Sequence, residues 1–392
     1  MQIVKIKGCV KNYDWGSRDI LPSMFHYQPD GTSQAEMWFG VHPSGPSRLE
    51  DGTLLSDYLN TDPERFFGPR HKEYQERFPL MMKVLAVNNP LSLHVHPDAV
   101  QALRGWQDEE LMRSRPENAG QLNFRDTNQK CELFYALTPS TLLCGFRDFE
   151  SASHHLRRLL PLCYDEYFAK NRTLRGLVKT LYSLDEDCLK RAVDEFLMQL
   201  DEAEEESRRG GLYLTERGIS EKSFSLFGYD AGVIMPYLMN VVPVRPGEAI
   251  YIQSGVLHSY AHGTGIEIED SSDNEIRLSL SRKHKDIQGA LNLIDFDSSF
   301  SGKVCLKPDS VLRSVASTPT FALAVLSSGS YDIREKTPCF SLCLEGLARV
   351  GTPDDHIMLR EGECCFIPSC DEEYHVRVSG KVYQALFSAD EE

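Results

Sequence analysis

Residues 89–97 read Asn-Pro-Leu-Ser-Leu-His-Val-His-Pro, a short apolar strand pattern that carries two histidines and is bounded by prolines. A β-strand directs residues i and i+2 to the same face, roughly 7 Å apart along the strand. The rings of His94 and His96 are therefore expected to share one face and to approach a single divalent ion. The alternative is a pair of hydrogen-bonded core histidines.

Composition excludes several classes of function for this chain of 392 residues. Its net charge of −16 argues against a nucleic-acid-binding surface, which needs a basic patch. No apolar run approaches the roughly 20 residues of a membrane span, and the first residues lack a secretion signal. None of the 11 cysteines forms a Cys-x-x-Cys pair, which is typical of thiols in a reducing compartment. We expect a cytoplasmic protein that binds neither nucleic acid nor membrane.

Around the two histidines, short strand patterns alternate with one helical block. Segments 80–86 and 131–137 have the composition of strands, whereas apolar residues recur at helical spacing within 151–209. Asp185 or Asp187 is expected to cap the central helix of this block, and the acidic run 201–206 to end it. One buried helix face is predicted from Leu189, Ala192, Val193, Phe196, Leu197 and Leu200.

Two further segments supply candidate ligands for the same ion. Glu132 lies in a predicted strand, and His258 follows the turn residues of 253–257. Three imidazoles with one carboxylate suit Zn²⁺, although Fe, Mn, Co or Ni would also bind. One or two coordination positions would remain for water or substrate, which is the condition for metal catalysis.

A His-x-His strand, a carboxylate on a neighbouring strand and a distant histidine is the ligand order of many cupin barrels. Residues 360–368 also echo residues 245–252 in a turn Gly-Glu followed by an apolar strand, which indicates two related β units. The predicted fold is therefore mainly β, with two related cupin-type (jelly-roll) barrels and an inserted helical domain. The predicted domains are a catalytic metal-binding cupin domain at 1–150 and 230–300, a helical domain at 151–229 and a C-terminal cupin-like domain at 301–392.

Six segments, in order, resemble motifs of the type I mannose-6-phosphate isomerases. Two of them contain the candidate ligands His94, His96 and Glu132. The segments are Asn-Tyr-Asp-Trp-Gly-Ser at 12–17, Ala-Glu-Met-Trp-Phe-Gly-Val-His-Pro at 35–43, Pro-Leu-Met-Met-Lys-Val-Leu at 79–85, Pro-Leu-Ser-Leu-His-Val-His-Pro at 90–97, Asp-Thr-Asn-Gln-Lys-Cys-Glu-Leu at 126–133 and Ser-Asp-Asn-Glu-Ile-Arg at 272–277.

This resemblance implies one zinc ion per chain, with Arg277 as the active-site arginine and Lys130 as a catalytic pocket lysine. The alternative for Arg277 is a surface salt bridge to Glu275 or Asp273. Trp15, in the first motif, is a candidate platform for the sugar ring, and its alternative role is that of a loop anchor. The implied zinc ligands are His94, His96, Glu132 and His258, and the further implied pocket positions are Lys83, Glu267, Asp273 and Lys283.

Three positions depart from the family pattern. His94 stands where the family usually has glutamine, Gln129 replaces a histidine, and Cys131 replaces a proline. These changes leave three functions open: a zinc-dependent isomerase of mannose 6-phosphate and fructose 6-phosphate, a paralogue acting on another sugar or sugar phosphate, and a metal-stabilised sugar-binding protein with little turnover. The expected partner is a small sugar phosphate, and the expected state is a monomer or weak homo-oligomer.

The implied isomerisation moves a proton between C1 and C2 through a cis-enediolate. A Lewis-acid metal and a fixed guanidinium stabilise the oxygens of such an intermediate, which suits Arg277 better than a mobile lysine. The sequence leaves the proton carrier open. The candidates are water at the metal, His96, Lys130, Asp273 and Glu267.

Overall fold

The computed structural model describes residues 3–76, 78–202, 212–297, 302–334, 337–352, 355–369 and 373–387. Within these ranges the chain forms two antiparallel sheets and a set of helices, which confirms the predicted mainly β architecture. The strands are β1 Val4–Lys7, β2 Cys9–Lys11, β3 Glu36–Phe39, β4 Arg48–Leu49, β5 Leu80–Val87, β6 Leu93–Val95, β7 Glu132–Ala136, β8 Ser140–Phe146, β9 Met239–Val244, β10 Ala249–Ile252, β11 His258–Asp270, β12 Ile276–Ser279, β13 Lys303–Val304, β14 Lys307–Pro308, β15 Ser314–Ser317, β16 Phe321–Ile333, β17 Cys339–Gly351, β18 His356–Arg360, β19 Cys364–Ile367 and β20 Tyr374–Phe387.

The helices are mostly short, and the longer ones lie between β8 and β9. Short 3₁₀ segments occupy 68–70, 116–121, 231–233 and 235–237, and a π-helical turn occupies 164–168. The α-helices are α1 Ile20–Met24, α2 Leu55–Leu59, α3 Pro63–Phe67, α4 His71–Glu76, α5 Ala99–Asp108, α6 Glu110–Arg113, α7 Phe149–Leu159, α8 Pro161–Cys163, α9 Leu174–Ser183, α10 Glu186–Glu202, α11 Glu216–Phe227 and α12 Ile287–Leu293.

One sheet, here called the site sheet, runs in the order β13-β10-β7-β11-β5-β3-β2. Strands β6 and β8 also pair with β11, β12 pairs with β6, and β9 pairs with β8. Its inner strand β5 is buried along its whole length. A strand covered on both faces needs apolar residues at nearly every position, which explains why every residue of β5 except Lys83 is apolar.

Strand β11 changes partners halfway along, and this change brings the site residues together. Its first residues pair with β6 and β8, whereas residues 263–270 pair with β5 and β7. The change occurs at Gly263, where φ is +119° and an added Cβ would lie 2.1 Å from Ser140 Oγ. Glycine is required there for the backbone conformation as well as for the space.

The second sheet, here called the terminal sheet, runs in the order β14-β15-β16-β20-β17-β19-β1-β4, with β18 paired to β17. Its inner face packs on the site sheet through one apolar cluster, in which Phe340 and Phe366 of the terminal sheet join Met82 and Ile266 of the site sheet. Residues near the start of the chain therefore complete a sheet built mainly from residues 307–387. The predicted three-domain division remains a prediction.

The helical block behaves as its periodicity predicts. Ala192, Val193, Phe196 and Leu200 of α10 are buried, and Leu189 and Leu197 are partly buried against the same cluster. The carboxylate of Asp185 accepts a hydrogen bond of 2.8 Å from the Cys188 amide, so Asp185 is the cap. Residues 203–211, including most of the acidic run 201–206, lie outside the described residues.

The echoed segments form matching turns, one in each sheet. Gly247 and Gly362 both have positive φ, at 90° and 82°. In both turns the glutamate that follows accepts a hydrogen bond from the backbone N–H three residues earlier, at 2.9 Å for Glu248 and 2.8 Å for Glu363. The repeat seen in the sequence is therefore a repeated turn in the structure, placed before β10 and before β19.

Candidate metal centre

Four predicted ligands meet at the point where β6, β7 and β11 come together. His258 lies directly opposite His94 in the β6–β11 pair, and Glu132 begins β7. The ring nitrogens of the three histidines approach within 4.8 Å of one another. Glu132 is held between two of the rings, with Oε1 2.9 Å from His96 Nε2 and Oε2 3.2 Å from His258 Nε2. All four side chains are buried.

Each imidazole is oriented by a backbone carbonyl. The Nδ1 atoms lie 2.9 Å from Ser92 O for His94, 2.7 Å from Asn274 O for His96 and 2.9 Å from Val256 O for His258. A carbonyl can only accept, so each Nδ1 carries the hydrogen and each Nε2 keeps its lone pair. This arrangement is typical of metal-binding histidines.

The protonation states also fit a divalent cation. Burial and the neighbouring His258 hold the pKa of His94 well below its usual range, and burial and Lys130 lower the pKa of His96. Burial alone would raise the pKa of Glu132, but Lys130 and His96 outweigh it and hold that pKa well below normal. His94 and His96 are therefore neutral rings and Glu132 is an ionised carboxylate at neutral pH, as metal ligation requires.

A buried polar atom supports the same conclusion. Among the described residues, His258 Nε2 has no hydrogen-bond partner of acceptable geometry, although it is shielded from solvent. Leaving such an atom without a partner costs about 1–3 kcal/mol. A cation held by the three Nε2 atoms and Glu132 would satisfy it, so the donor set fits Zn²⁺.

A cavity of about 770 Å³ opens beside this cluster. His94 and Glu132 line it, whereas His96 and His258 lie beneath its wall. The structure also brings the other predicted site residues to this cavity, and its lining includes Trp15, Lys83, Lys130, Glu267, Asp273, Arg277 and Lys283.

Two buried lysines on one wall are held by carboxylates. Lys83 Nζ lies 2.7 Å from Glu269 Oε1 and 3.5 Å from Glu267, and Lys130 Nζ lies 3.1 Å from Glu269 Oε2 and 3.2 Å from Glu132. Burial alone would lower both lysine pKa values. Glu269 and the other carboxylates outweigh burial and raise both, so both lysines are cationic at neutral pH.

Arg277 lies across the β6–β12 pair from His94, and its Nη2 is 2.8 Å from Glu275 Oε2. Arg277 therefore lines the cavity while it is paired with Glu275. Asp273 lies at the rim, where it accepts a hydrogen bond of 3.0 Å from Ser44 Oγ. Lys283 Nζ lies 4.4 Å from the ring centroid of Tyr13, near the loop that presents Trp15.

The Ser272-Asp273-Asn274 motif has a structural role that explains its residue types. The side chain of Asn274 accepts hydrogen bonds from the backbone of residues 125 and 126 and donates to Asn128 O, while its own carbonyl orients His96. Ser272 Oγ donates to the carboxylate of Asp126. The motif therefore fixes the loop that leads to Lys130 and Glu132.

Sequence reasoning missed two residues of this site. Glu269 joins the two lysines, and the hydroxyl of Tyr260 lies 3.0 Å from Glu132 and 2.5 Å from Glu267. A strand period of two carried the signal for both, since Tyr260 is two residues from His258 and Glu269 two from Glu267. Glu275 was named only as a possible salt-bridge partner of Arg277, and the structure forms that pair.

Two of the three departures from the family pattern lie away from the centre of the site. Cys131 is buried, with its amide donating to Asp270 at 3.0 Å, and Gln129 is half-buried outside the described lining of the cavity. His94 is the departure that faces both the cavity and the other rings.

Comparisons with known proteins agree with this geometry. A family model described as the catalytic domain of type I phosphomannose isomerase matches residues 3–149. Mannose-6-phosphate isomerase of Escherichia coli (strain K12) is 27% identical over 402 residues, which cover 96% of this chain and 98% of that protein. The Schizosaccharomyces pombe protein of the same name is 29% identical over 319 residues, covering 75% of this chain and 74% of the relative.

Solved structures share the fold. A mannose 6-phosphate isomerase bound with zinc and yttrium has a TM-score of 0.88 and 24% identity, and the likeness covers 99% of this chain and all of the other. A variant of phosphomannose isomerase from Salmonella typhimurium has a TM-score of 0.87 and 25% identity, with the same coverage. Across the described part of the chain, no helix has both the length and the apolar character of a membrane span.

Proposed function

We propose that this chain is a zinc-dependent isomerase of mannose 6-phosphate and fructose 6-phosphate, because its residues 3–149 match the catalytic-domain model of type I phosphomannose isomerase and a mannose-6-phosphate isomerase aligns with 96% of its length. The observation that carries the proposal is the convergence of three carbonyl-oriented Nε2 atoms and Glu132 at the wall of a cavity that Arg277 also lines. A cation site and a fixed guanidinium together can stabilise the oxygens that gain negative charge in an aldose–ketose isomerisation.

The metal ligands in this proposal are His94, His96, Glu132 and His258. Zinc, when bound there, supplies Lewis-acid stabilisation of substrate oxygens that gain negative charge. Arg277 stays cationic at any working pH, and its ion pair with Glu275 holds its planar group at the cavity wall. It is therefore suited to stabilising the oxygens of a cis-enediolate.

The proton that moves between C1 and C2 needs a carrier within reach of the sugar. Lys130 and Glu267 line the cavity beside Glu132, whereas His96 lies beneath the wall with its ring nitrogens engaged. Asp273 lies at the rim and is bound to Ser44. The placement of these side chains supports Lys130 or Glu267 as the carrier. Carboxylates raise the pKa of Lys130 away from neutrality, whereas burial and Glu132 raise the pKa of Glu267 towards it, which favours Glu267.

Substrate binding is proposed for the remaining predicted residues. Lys283 and Arg282 line the open end of the cavity, and their positive charge suits a phosphate. The ammonium group of Lys83 lies 4.8 Å from the ring centroid of Trp38. This contact holds both side chains in place on the cavity wall against which the sugar would lie. Trp15 supplies an apolar face at the same cavity.

The form of the two sheets and the division of the chain into domains are also proposed. We infer that both sheets are cupin-type jelly rolls, supported by the matching turns at Gly247 and Gly362 and by the ligand order. The division into a catalytic domain, a helical insertion and a C-terminal domain is proposed with the bounds predicted above. A cytoplasmic location and a monomeric or weakly associated state are likewise proposed.

The test mixes zinc-loaded protein with mannose 6-phosphate in D₂O and follows the sugar signals by proton NMR. We expect fructose 6-phosphate to appear, and chelation of zinc to abolish its formation. Glu345→Gln, a change at a surface ion pair of the terminal sheet, serves as the control that keeps full activity. Zinc-loaded protein that leaves both sugar phosphates unchanged would falsify the assignment. Conversion of another sugar in the same assay would identify a paralogue, and binding without turnover would identify a sugar-binding protein.

A further inference from the structure

Glu275 lies between a proposed zinc ligand and the proposed catalytic arginine. Its Oε2 atom is 2.8 Å from Arg277 Nη2, and its Oε1 atom is 3.7 Å from His94 Nδ1. Ser92 Oγ connects the two sides, since it donates to Glu275 Oε1 at 3.2 Å and lies 3.3 Å from His94 Nδ1. The carboxylate of Glu275 therefore lies close to both His94 and Arg277.

The pairing of strands β6 and β12 places these side chains next to one another. His94 and Arg277 are direct partners in the antiparallel β6–β12 pair, so their side chains project from neighbouring strands onto one face. Glu275 precedes Arg277 by two residues, and Ser92 precedes His94 by two residues. The four side chains thus form a compact patch at the edge of the cavity, and all four line it.

This contact has a different effect on a histidine than on a glutamine at position 94. A histidine ring that binds a cation through Nε2 gains positive character at Nδ1–H, which a nearby carboxylate stabilises. A glutamine amide that binds through its oxygen has no second ring nitrogen. Glu275 can therefore stabilise a metal-bound histidine at position 94, but it could not stabilise a glutamine there in the same way.

We propose that Glu275 is a positioning residue that couples His94 to Arg277, strengthening metal binding through the His94 ring and fixing the guanidinium. This inference rests on the proposed function, because it assumes that His94 binds zinc and that Arg277 faces the substrate. Glu275 itself forms no bond to zinc and takes no proton from the sugar. Removing the Glu275 carboxylate is expected to weaken zinc binding through His94 and to lower turnover through Arg277.

The test is a double-variant cycle on the full chain with His94→Gln, Glu275→Gln and both together. Zinc dissociation constants are measured by competition with a chelating indicator, a readout that needs no isomerase activity. We expect Glu275→Gln to weaken zinc binding about 10-fold when His94 is present, the range for a carboxylate that supports a ligating histidine. In the His94→Gln protein the same change is expected to alter zinc binding less than threefold.

Two further variants make the result specific. Glu275→Asp keeps the negative charge, and we expect it to bind zinc at least threefold more tightly than Glu275→Gln. Glu345→Gln removes a surface carboxylate that pairs with Lys381 at 3.1 Å in the terminal sheet, and it should bind zinc as the parent does. Equal losses for Glu275→Gln in both backgrounds, or equal affinities of the Asp and Gln variants, would overturn the coupling.

Turnover supplies the second readout. At saturating zinc, Glu275→Gln is expected to lower kcat about 10-fold, because Arg277 loses its partner, while the metal stays bound. An unchanged kcat would overturn the part of the proposal that concerns Arg277. A parent protein that binds zinc with the predicted cycle but isomerises no sugar would disprove the proposed function and leave the His94–Glu275 coupling intact, so the two failures are distinguishable.

Discussion

Lys83 and Glu269 form an ion pair of 2.7 Å in a part of the site sheet where the carboxylate is completely buried and the lysine is 5% exposed. The second oxygen of the same carboxylate pairs with Lys130. A single glutamate thus holds two cations of the cavity wall at fixed positions. Removing one partner from such a pair is strongly destabilising, because a buried charge is left uncompensated.

Glu269→Gln should therefore lower the free energy of unfolding by about 3 kcal/mol and also reduce isomerase activity, since both lysines lose their common partner. Urea unfolding followed by tryptophan fluorescence measures the first effect. Glu345→Gln, at a surface ion pair, should cost less than about 1 kcal/mol. Equal stability of the two variants would refute the role assigned to Glu269.

Zinc should stabilise the fold through His258. Because zinc binds the folded state, a free concentration 100 times its dissociation constant should raise the free energy of unfolding by about 2.7 kcal/mol. His258→Gln should lose most of this increase. His262→Gln, four residues along the same strand but exposed, should retain it. Melting temperatures measured with and without zinc provide the comparison, and a similar response of both variants would contradict the ligand assignment.

Arg277→Lys keeps the positive charge but removes the planar group and its paired donors. We expect kcat to fall about 100-fold, the usual loss when one donor to a developing oxyanion is removed. The zinc content and the unfolding curve should match those of the parent. Arg349→Lys, an exposed position on β17, is the matched control and should keep full activity. Parental kcat in the Arg277 variant would exclude the proposed role.

Gly16→Ala should disturb the loop that presents Trp15. An added Cβ would lie 2.4 Å from the backbone carbon of Gln34, too close to be relieved by a side-chain movement. We expect a loss of about 2 kcal/mol in unfolding free energy and a lower kcat/KM, with the zinc affinity unchanged. Gly31→Ala, where nothing lies within 4 Å but φ is +81°, controls for backbone strain alone, and it should leave kcat/KM at the parental value.

The Lys5–Glu363 ion pair should make stability depend on pH. Burial alone would raise the pKa of Glu363, but the Arg360 amide and Lys5 outweigh it, and the pKa is lowered. A lowered pKa in the folded state stabilises the protein above the unfolded value of about 4.3, and this contribution is lost as pH falls through the folded value. Glu363→Gln should cost ~0.5 kcal/mol at pH 7, since the pair is partly exposed. The difference in urea unfolding should shrink steadily as pH falls below the unfolded value, and a difference that stays constant with pH would exclude a charge effect.

Local periodicity was sufficient to predict the convergence of His94 and His96, the buried face of α10 and each Gly-Glu turn. Each of these features depends on residues within about a dozen positions of one another, where strand and helix geometry determine the outcome. Asp185 was likewise predicted as one of two possible caps, because a helix start has a local signature.

The contacts of Glu269 with the two lysines and of Glu275 with His94 were not predicted, because they depend on which strands pair and in which register. Glu269 reaches Lys83 and Lys130 only because β11 lies between β5 and β7. Glu275 reaches His94 only because β12 pairs with β6. A sequence pattern shows that two residues share a strand face, but it does not show which distant strand lies opposite.

The pairing of β1 with β19 has a consequence for synthesis of the chain. Lys5 and Glu363 are 358 positions apart, and Glu363 lies directly before β19, the strand that pairs with β1. A ribosome adding about 5–20 residues per second makes β1 roughly 20–70 s before β19. During that interval β4 can pair with one edge of β1, but the edge that faces β19 has no native partner strand and is exposed to wrong pairing with other nascent chains. A factor that shields this segment during translation would raise the yield of folded protein without changing its final stability.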